Sequence, residues 1–177
     1  MVATFLQDDL AEELKRIFTG FQLKAPATGE LTDVHVYKQN LPIPAPVTPS
    51  DEDLDPSVIE EGLGLTDAEN AEDPYPYALV RVTEGKIEKI DGEQAVEVFL
   101  LFGVFDDDLE NQGHKDILNM IQKVYERFSK NAILAARYEC VMPINWALQE
   151  EESYPYYIGG MTLNFVTHPI RREDPYA

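Results

Sequence analysis

Histidine and cysteine are the side chains that most often bind metals or act as nucleophiles, and this sequence contains few of them. Its three histidines, His35, His114 and His168, lie in three separate segments, and no two of them have the spacing of a zinc signature. Cys140 is the only cysteine, which excludes an internal disulfide and a cysteine-based zinc cluster and favours a reducing compartment. Because its neighbours are mostly apolar, we interpret Cys140 as a small core residue. We therefore predict no bound metal and no organic cofactor.

Three consecutive aspartates, Asp106, Asp107 and Asp108, with Glu110 close behind, superficially resemble a calcium-binding loop. The next glycine is Gly113, and this spacing does not match the order of ligands and turn in an EF-hand. The acids follow an apolar run and precede a helical pattern, where negative charge near a helix N-terminus is favoured. We therefore interpret these acids as favourable negative charge near the start of a helix. A low-affinity cation site is the alternative.

Other catalytic motifs are missing from the sequence. It contains no glycine-rich phosphate loop, no GxSxG nucleophile elbow and no pair of acidic residues in apolar surroundings. Gly159 and Gly160 lie within a strand pattern, where paired glycines indicate a bulge or a close approach of another group to the backbone. We predict that the protein is not an enzyme, and an enzyme with an unrecognised site is the alternative.

The charge balance limits the classes of partner. The chain has 33 acidic and 14 basic residues among 177, which gives a formal net charge of −19. Such a charge repels nucleic acid and anionic lipid, and it removes the counterion-release term that makes DNA adhere. The sequence also lacks a basic, apolar leader pattern at its start and any run of about 18 apolar residues. We expect no membrane partner and no gripping of DNA, although an acidic surface suits a passage through which DNA slides.

Hydrophobic periodicity predicts the helices and strands that position these residues. Leu6, Leu10 and Leu14 recur at helical spacing near the start of the chain, and a broader apolar stripe follows at residues 117–128. Strands are predicted at residues 34–37, 77–82, 87–90, 95–105, from 138 to 144 or 146, and at 157–166. The predicted fold class is α+β in the order α-β-β-β-β-α-β-β, with a single mixed or antiparallel sheet and the helices packed on one side.

One long segment interrupts this pattern. Residues 42–76 hold seven of the twelve prolines, and residues 51–73 contain ten acidic side chains with no basic one. Polar, proline-rich composition of this kind is typical of an excursion and not of a second core. We predict one domain over residues 1–177, with a proline-rich acidic insertion at 42–76.

The strand at residues 95–105 is apolar on both of its faces. Val96, Val98, Leu100, Phe102 and Val104 alternate along one face, and Phe99, Leu101 and Phe105 occupy the other. A single core layer covers only one of these faces. We therefore predict that Phe99, Leu101 and Phe105 form a subunit interface.

Read together, four stretches resemble the tail terminator, or tail completion, proteins of long-tailed bacteriophages and prophages. They are the N-terminal helix, the run YPYALVRVTEGKIEKIDGEQAVEVFLLFGVFDDD, the helix GHKDILNMIQKVYERFSK and the closing YPYYIGGMTLNFV. The likeness covers most of residues 1–170 outside the proline-rich insertion. It rests on the order of the elements and on the local character of their sequences, and it implies no catalytic residues.

This resemblance implies a small subunit that forms a ring, usually of six copies, which caps the tail tube and joins it to the head-connector proteins. The expected location is the virion tail, and the bacterial host cytoplasm during assembly. DNA would pass through the ring without specific binding, along a lumen or rim that we expect to be acidic. The candidate acidic residues are Asp51, Glu52, Asp53, Asp55, Asp106, Asp107 and Asp108.

A different class of function is the alternative, in which the chain is a small cytoplasmic module that binds an unknown protein.

The aromatic series Tyr154, Tyr156 and Tyr157 could stack on nucleic-acid bases. Its acidic surroundings favour a protein-facing patch or simple packing instead.

Overall fold

The computed structural model describes residues 2–43, 74–89, 91–167 and 169. Among them, ten elements follow one another along the chain. The two helices are α1 (Val2–Ile17) and α2 (His114–Lys130). The strands are β1 (Gln22–Lys24), β2 (Leu31–Asp33), β3 (His35–Lys38), β4 (Tyr77–Ile87), β5 (Gln94–Phe105), β6 (Ile133–Leu134), β7 (Tyr138–Leu148) and β8 (Tyr156–Thr167).

Six of the strands form one mixed sheet in the order β3-β4-β5-β8-β7-β6. β3 and β4 run parallel, and the other neighbouring strands run antiparallel. β1 and β2 pair separately as a two-stranded sheet. The α+β class predicted from the sequence is confirmed. The structure adds β1, β2 and β6, each of only two or three residues. Strands this short do not repeat the hydrophobic alternation often enough to be predicted from it.

Both helices pack on the same face of the sheet, which we call the helix face. α1 buries Leu6, Leu10 and Leu14 there, and α2 buries Ile117, Met120, Ile121, Val124 and Phe128. These side chains join Val96, Val98, Leu100, Phe102 and Val104 of β5 in one core. The sequence prediction that Ile117, Ile121, Val124 and Phe128 pack on this sheet is confirmed, since all four belong to the core and Phe128 meets Phe165 edge-to-face with ring centroids 5.5 Å apart.

Polar contacts connect the helices to each other and to the sheet. Arg127 of α2 donates to the carboxylate of Glu13 in α1, and both side chains are largely buried. Gln7 of α1 donates from Nε2 to the Val80 carbonyl of β4 at 2.9 Å. Arg137, after β6, lies 2.6 Å from the Asp9 carboxylate of α1. These contacts fix both helices on one face of the sheet.

Neither described helix combines the length and the apolar character that crossing a membrane requires.

Candidate assembly surface

The face of the sheet opposite the helices carries the residues that the sequence singled out. Phe99, Leu101 and Phe105 point away from the helix core and are all partly exposed. Leu101 lies between the buried Leu79 of β4 and Gly160 of β8, so residues of three strands are neighbours on this face. The structure thus places the three predicted interface residues on one face.

Phe105 and its neighbours on β8 extend that surface toward the end of the sheet. Tyr156 pairs with Phe105 and Ile158 pairs with Gly103, and both side chains are partly exposed. We call the combined surface the outer patch. Its members are Phe99, Leu101, Phe105, Tyr156 and Ile158.

Gly160 allows the ring of Phe99 to lie against the backbone of β8 in the outer patch. A side chain at this position would overlap the ring of Phe99, which lies directly against the glycine. Gly159, one residue earlier, faces the helices, and a Cβ there would overlap the Ile117 side chain of α2. The two glycines therefore permit close approaches on opposite faces of one strand, as the sequence indicated, and β8 pairs with β5 without a bulge.

A shallow groove of about 370 Å³ runs beside Phe99 on this face. Its walls include Phe99 and Leu101 on one side and Asn145 and Ala147 of β7 on the other, with Gly160 between them. The groove borders β7, the strand that follows β8 in the sheet. The outer patch therefore has relief that a partner side chain could enter.

Aromatic rings gather at the end of the outer patch where β5 finishes. Tyr75 contacts both Tyr77 and Tyr156, with ring centroids 5.0 and 4.9 Å apart, and Phe105 contacts Tyr156 at 5.5 Å. Gly103 makes room for the rings of Tyr75 and Tyr77. This aromatic cluster was not predicted from the sequence. The triplet Tyr-Pro-Tyr occurs at residues 75–77, where β4 begins, and again at residues 154–156, where β8 begins, and that repetition was the available signal.

The outer patch is also free of charge. Residues 98–105 and 154–166 contain no Asp, Glu, Lys or Arg in a chain of which 27% is charged. Charged residues return on the same face at Glu97 of β5 and Arg81 of β4, which lie beside Phe99. In a molecule of net charge −19, an uncharged apolar surface is where association meets the least electrostatic resistance.

The predicted acidic rim is described only in part. Asp51, Glu52, Asp53 and Asp55 lie outside the described residues. Asp106, Asp107 and Asp108 follow β5 directly. They contact a positively charged side chain that was not predicted from the sequence.

Lys24 of β1 provides that cation. Its Nζ lies 2.8 Å from the Asp107 carboxylate and 3.9 Å from those of Asp106 and Asp108. The hydrogen bond from Lys24 lowers the pKa of Asp107 and raises the pKa of Lys24 itself. The aspartate cluster therefore carries an ammonium group at the place where the alternative interpretation put a calcium ion.

The titratable residues that could perform chemistry are dispersed. His35 lies on edge strand β3 and His114 begins α2, while His168 lies outside the described residues. Within the described ranges, no three His, Cys, Asp or Glu side chains group as metal ligands. Cys140 is buried in the core, as the sequence predicted, and burial raises the pKa of its thiol to about 11. Burial, followed by the charge of Asp106, raises the pKa of Asp116 in the first turn of α2.

A small pocket of about 180 Å³ lies beside the N-terminus of α2. Its lining includes His114, Tyr157 and the acidic residues 150–152. The Tyr157 hydroxyl donates to the Asn111 side chain, and the nearby Tyr154 hydroxyl donates to the Asp107 carbonyl at 2.8 Å. These bonds hold the start of β8 against the loop that follows β5.

Comparison of the chain with models of protein families and with curated protein sequences finds no match.

Proposed function

We propose that this chain is a non-catalytic structural subunit that closes into a ring through its sheet, in the manner of the tail terminator proteins of long-tailed bacteriophages and prophages. Such a ring, usually of six copies in that class, caps the tail tube and joins it to the head-connector proteins. Its location would be the virion tail, after assembly in the bacterial host cytoplasm.

The observation that carries the proposal is the outer patch. Two helices cover the helix face of the sheet, whereas Phe99, Leu101 and Phe105 remain partly exposed on the other face. An apolar patch with aromatic side chains at its centre is the usual core of a protein interface. The outer patch is therefore the surface through which subunits would meet.

The distribution of charge supports a ring around DNA. Like charges resist association, so the acidic residues should lie away from the contact, and the uncharged outer patch is consistent with that arrangement. Acidic residues that face a passage would repel the phosphate backbone and keep DNA from adhering. Asp106, Asp107 and Asp108 lie at the end of β5, beside the outer patch and not within it.

The proposal is tested by the shape and mass of the purified protein. Native mass spectrometry should give a closed multiple of the monomer, and electron microscopy should show a ring with an open centre. When purified tail tubes are added, the rings should sit at one end of each tube. A folded monomer at every concentration, with and without tubes, would contradict the proposal and favour the binding-module alternative.

DNA binding gives a second readout. Fluorescence anisotropy with labelled duplex DNA at about 50 mM salt should show no binding, since a protein that uses phosphate contacts binds most tightly at low salt. Tight, salt-sensitive binding would exclude the repulsive passage.

A further inference from the structure

A second uncharged apolar surface lies on the helix face of the sheet, between α2 and β7. This groove has a volume of about 390 Å³, and Leu118 and Tyr125 of α2 and Ile144 and Trp146 of β7 line it. None of its lining residues is charged. We call it the helix groove.

Two large aromatic side chains in the helix groove are exposed to solvent over about half of their surface. Tyr125 is 44% exposed and Trp146 is 56% exposed. Trp146 pairs with Met161, whose side chain is buried in the helix core, so the indole belongs to the helix face. Tryptophan and tyrosine are the side chains most often found as energetic anchors of protein interfaces.

The groove is open because α2 is apolar over a wider arc than the sheet covers. Ile117, Ile121 and Val124 face the core, while Leu118 and Tyr125 lie at the side of the same stripe. β6 pairs only with Tyr138 and Glu139 of β7, and no described strand pairs with β7 beyond them on that side. The helix groove therefore lies along the open side of the sheet.

A ring needs two different surfaces on each subunit. If the outer patch met its own copy, the contact would be two-fold symmetric and would stop at a dimer. A head-to-tail contact joins one surface to a different surface of the next copy and continues until the ring closes. The outer patch and the helix groove lie on opposite faces of one sheet, and both lack charge in a chain of net charge −19.

From this match we propose that the helix groove receives the outer patch of the next subunit, an inference that rests on the proposed ring. Phe99 and Leu101 of one copy would pack against Tyr125 and Trp146 of its neighbour. The occupant is a second copy of this chain. An uncharged groove offers no partner for a buried charge, so the surface that enters it must itself be uncharged, and the outer patch meets that condition.

The test mixes two variants that each lose one of the surfaces. Phe99→Asp removes the outer patch and keeps the helix groove, whereas Tyr125→Asp removes the helix groove and keeps the outer patch. Each variant alone should be a folded monomer, with native circular dichroism and a cooperative thermal transition. When the two are mixed, one intact patch can meet one intact groove, so native mass spectrometry should detect a 1:1 complex that grows no further.

Two controls separate this result from nonspecific effects. Leu118→Asp, at a residue that lines the helix groove and not the groove beside Phe99, should behave like Tyr125→Asp, and a mixture of these two groove variants should give no complex, because neither has a groove. Ile87→Asp changes a residue that is 64% exposed and lies outside both surfaces, and it should assemble as the unaltered chain does.

The outcomes distinguish the two proposals. If Tyr125→Asp and Leu118→Asp both assemble normally, the helix groove is not the contact, and the proposed ring through the outer patch stands. If folded Phe99→Asp and Tyr125→Asp monomers form no 1:1 complex when mixed, head-to-tail docking is refuted. If Phe99→Asp assembles normally, the outer patch itself is wrong and the proposed function loses its support.

Discussion

The two faces of this sheet have similar side chains and different surroundings. On β5, Val98 and Leu100 are fully buried beneath the helices, while Phe99 and Leu101, their neighbours in sequence, remain partly exposed on the other face. Both sets are apolar, so composition alone does not distinguish a core from an interface. The helices bury one face, whereas the other face keeps part of the surface of Phe99 and Leu101 exposed, and under the proposed function this exposed surface meets another subunit. Changes on the helix face should therefore affect folding, and changes on the outer patch should affect association.

The largest effect is expected on the helix face. Phe128 is 3% exposed and packs against Phe165, so Phe128→Ala should lower the free energy of unfolding by about 3–5 kcal/mol. Tyr125→Ala, one turn earlier and 44% exposed, is the matched control and should change it by about 0.5 kcal/mol or less in the monomer. Urea denaturation of both variants measures the contrast. Equal losses would show that α2 is not oriented as described.

The paired glycines of β8 compare the two faces one residue apart. Gly159→Ala forces a methyl group against Ile117, whose branched side chain is held in the core, and should destabilise the fold by about 1–3 kcal/mol. Gly160→Ala meets the far end of the Phe99 ring, which can swing toward solvent, so its effect on unfolding should be smaller. Thermal unfolding of the two variants is the measurement. A larger loss for Gly160→Ala would mean that the outer patch is packed as tightly as the core.

Salt should strengthen association while leaving the fold almost unchanged. Between subunits of net charge −19 the long-range force is repulsive, and raising the salt from 0.15 to 1 M shortens the screening length from about 8 to about 3 Å. Apolar contacts at the outer patch do not weaken under those conditions. Sedimentation velocity across a salt series should show the assembly forming at lower protein concentration. Dissociation at high salt would indicate that ion pairs, and not the apolar patch, hold the subunits together.

The smallest effect is expected for the thiol of Cys140, whose rate of chemical labelling measures burial on the helix face without any mutation. Burial holds the pKa of its thiol at about 11, so at pH 8 the group is neutral as well as inaccessible. A thiol reagent should label the native protein only as fast as it unfolds, and labelling should become rapid in urea. The raised pKa also means that the thiol favours the folded state less as the pH rises above about 9. Rapid labelling of the native protein at pH 8 would contradict the burial of Cys140.

Local pattern was sufficient to predict the long elements and the side chains of β5 that face away from the helices. The alternation along β5 separated Val98 and Leu100 from Phe99 and Leu101, and the apolar stripe of α2 identified Phe128 as a core residue. These predictions succeeded because long elements repeat their period several times.

The contacts that the sequence did not predict join residues far apart in the chain. Lys24 meets Asp107 across 83 positions, and Tyr75 meets Tyr156 because the sheet order brings β4 and β8 to the two sides of β5. No local period encodes such pairs. The helix groove was missed for the same reason, since Tyr125 and Trp146 become neighbours only after β7 takes its place beside β8.

Association through the outer patch is tested by the single change Phe99→Asp. Native mass spectrometry of the unaltered chain and of this variant, at the same concentration and salt, should give a ring mass for the first and a monomer mass for the second. The variant's near-ultraviolet circular dichroism should match that of the unaltered chain. A folded Phe99→Asp protein that retains the full ring mass would show that the subunits do not meet through the outer patch.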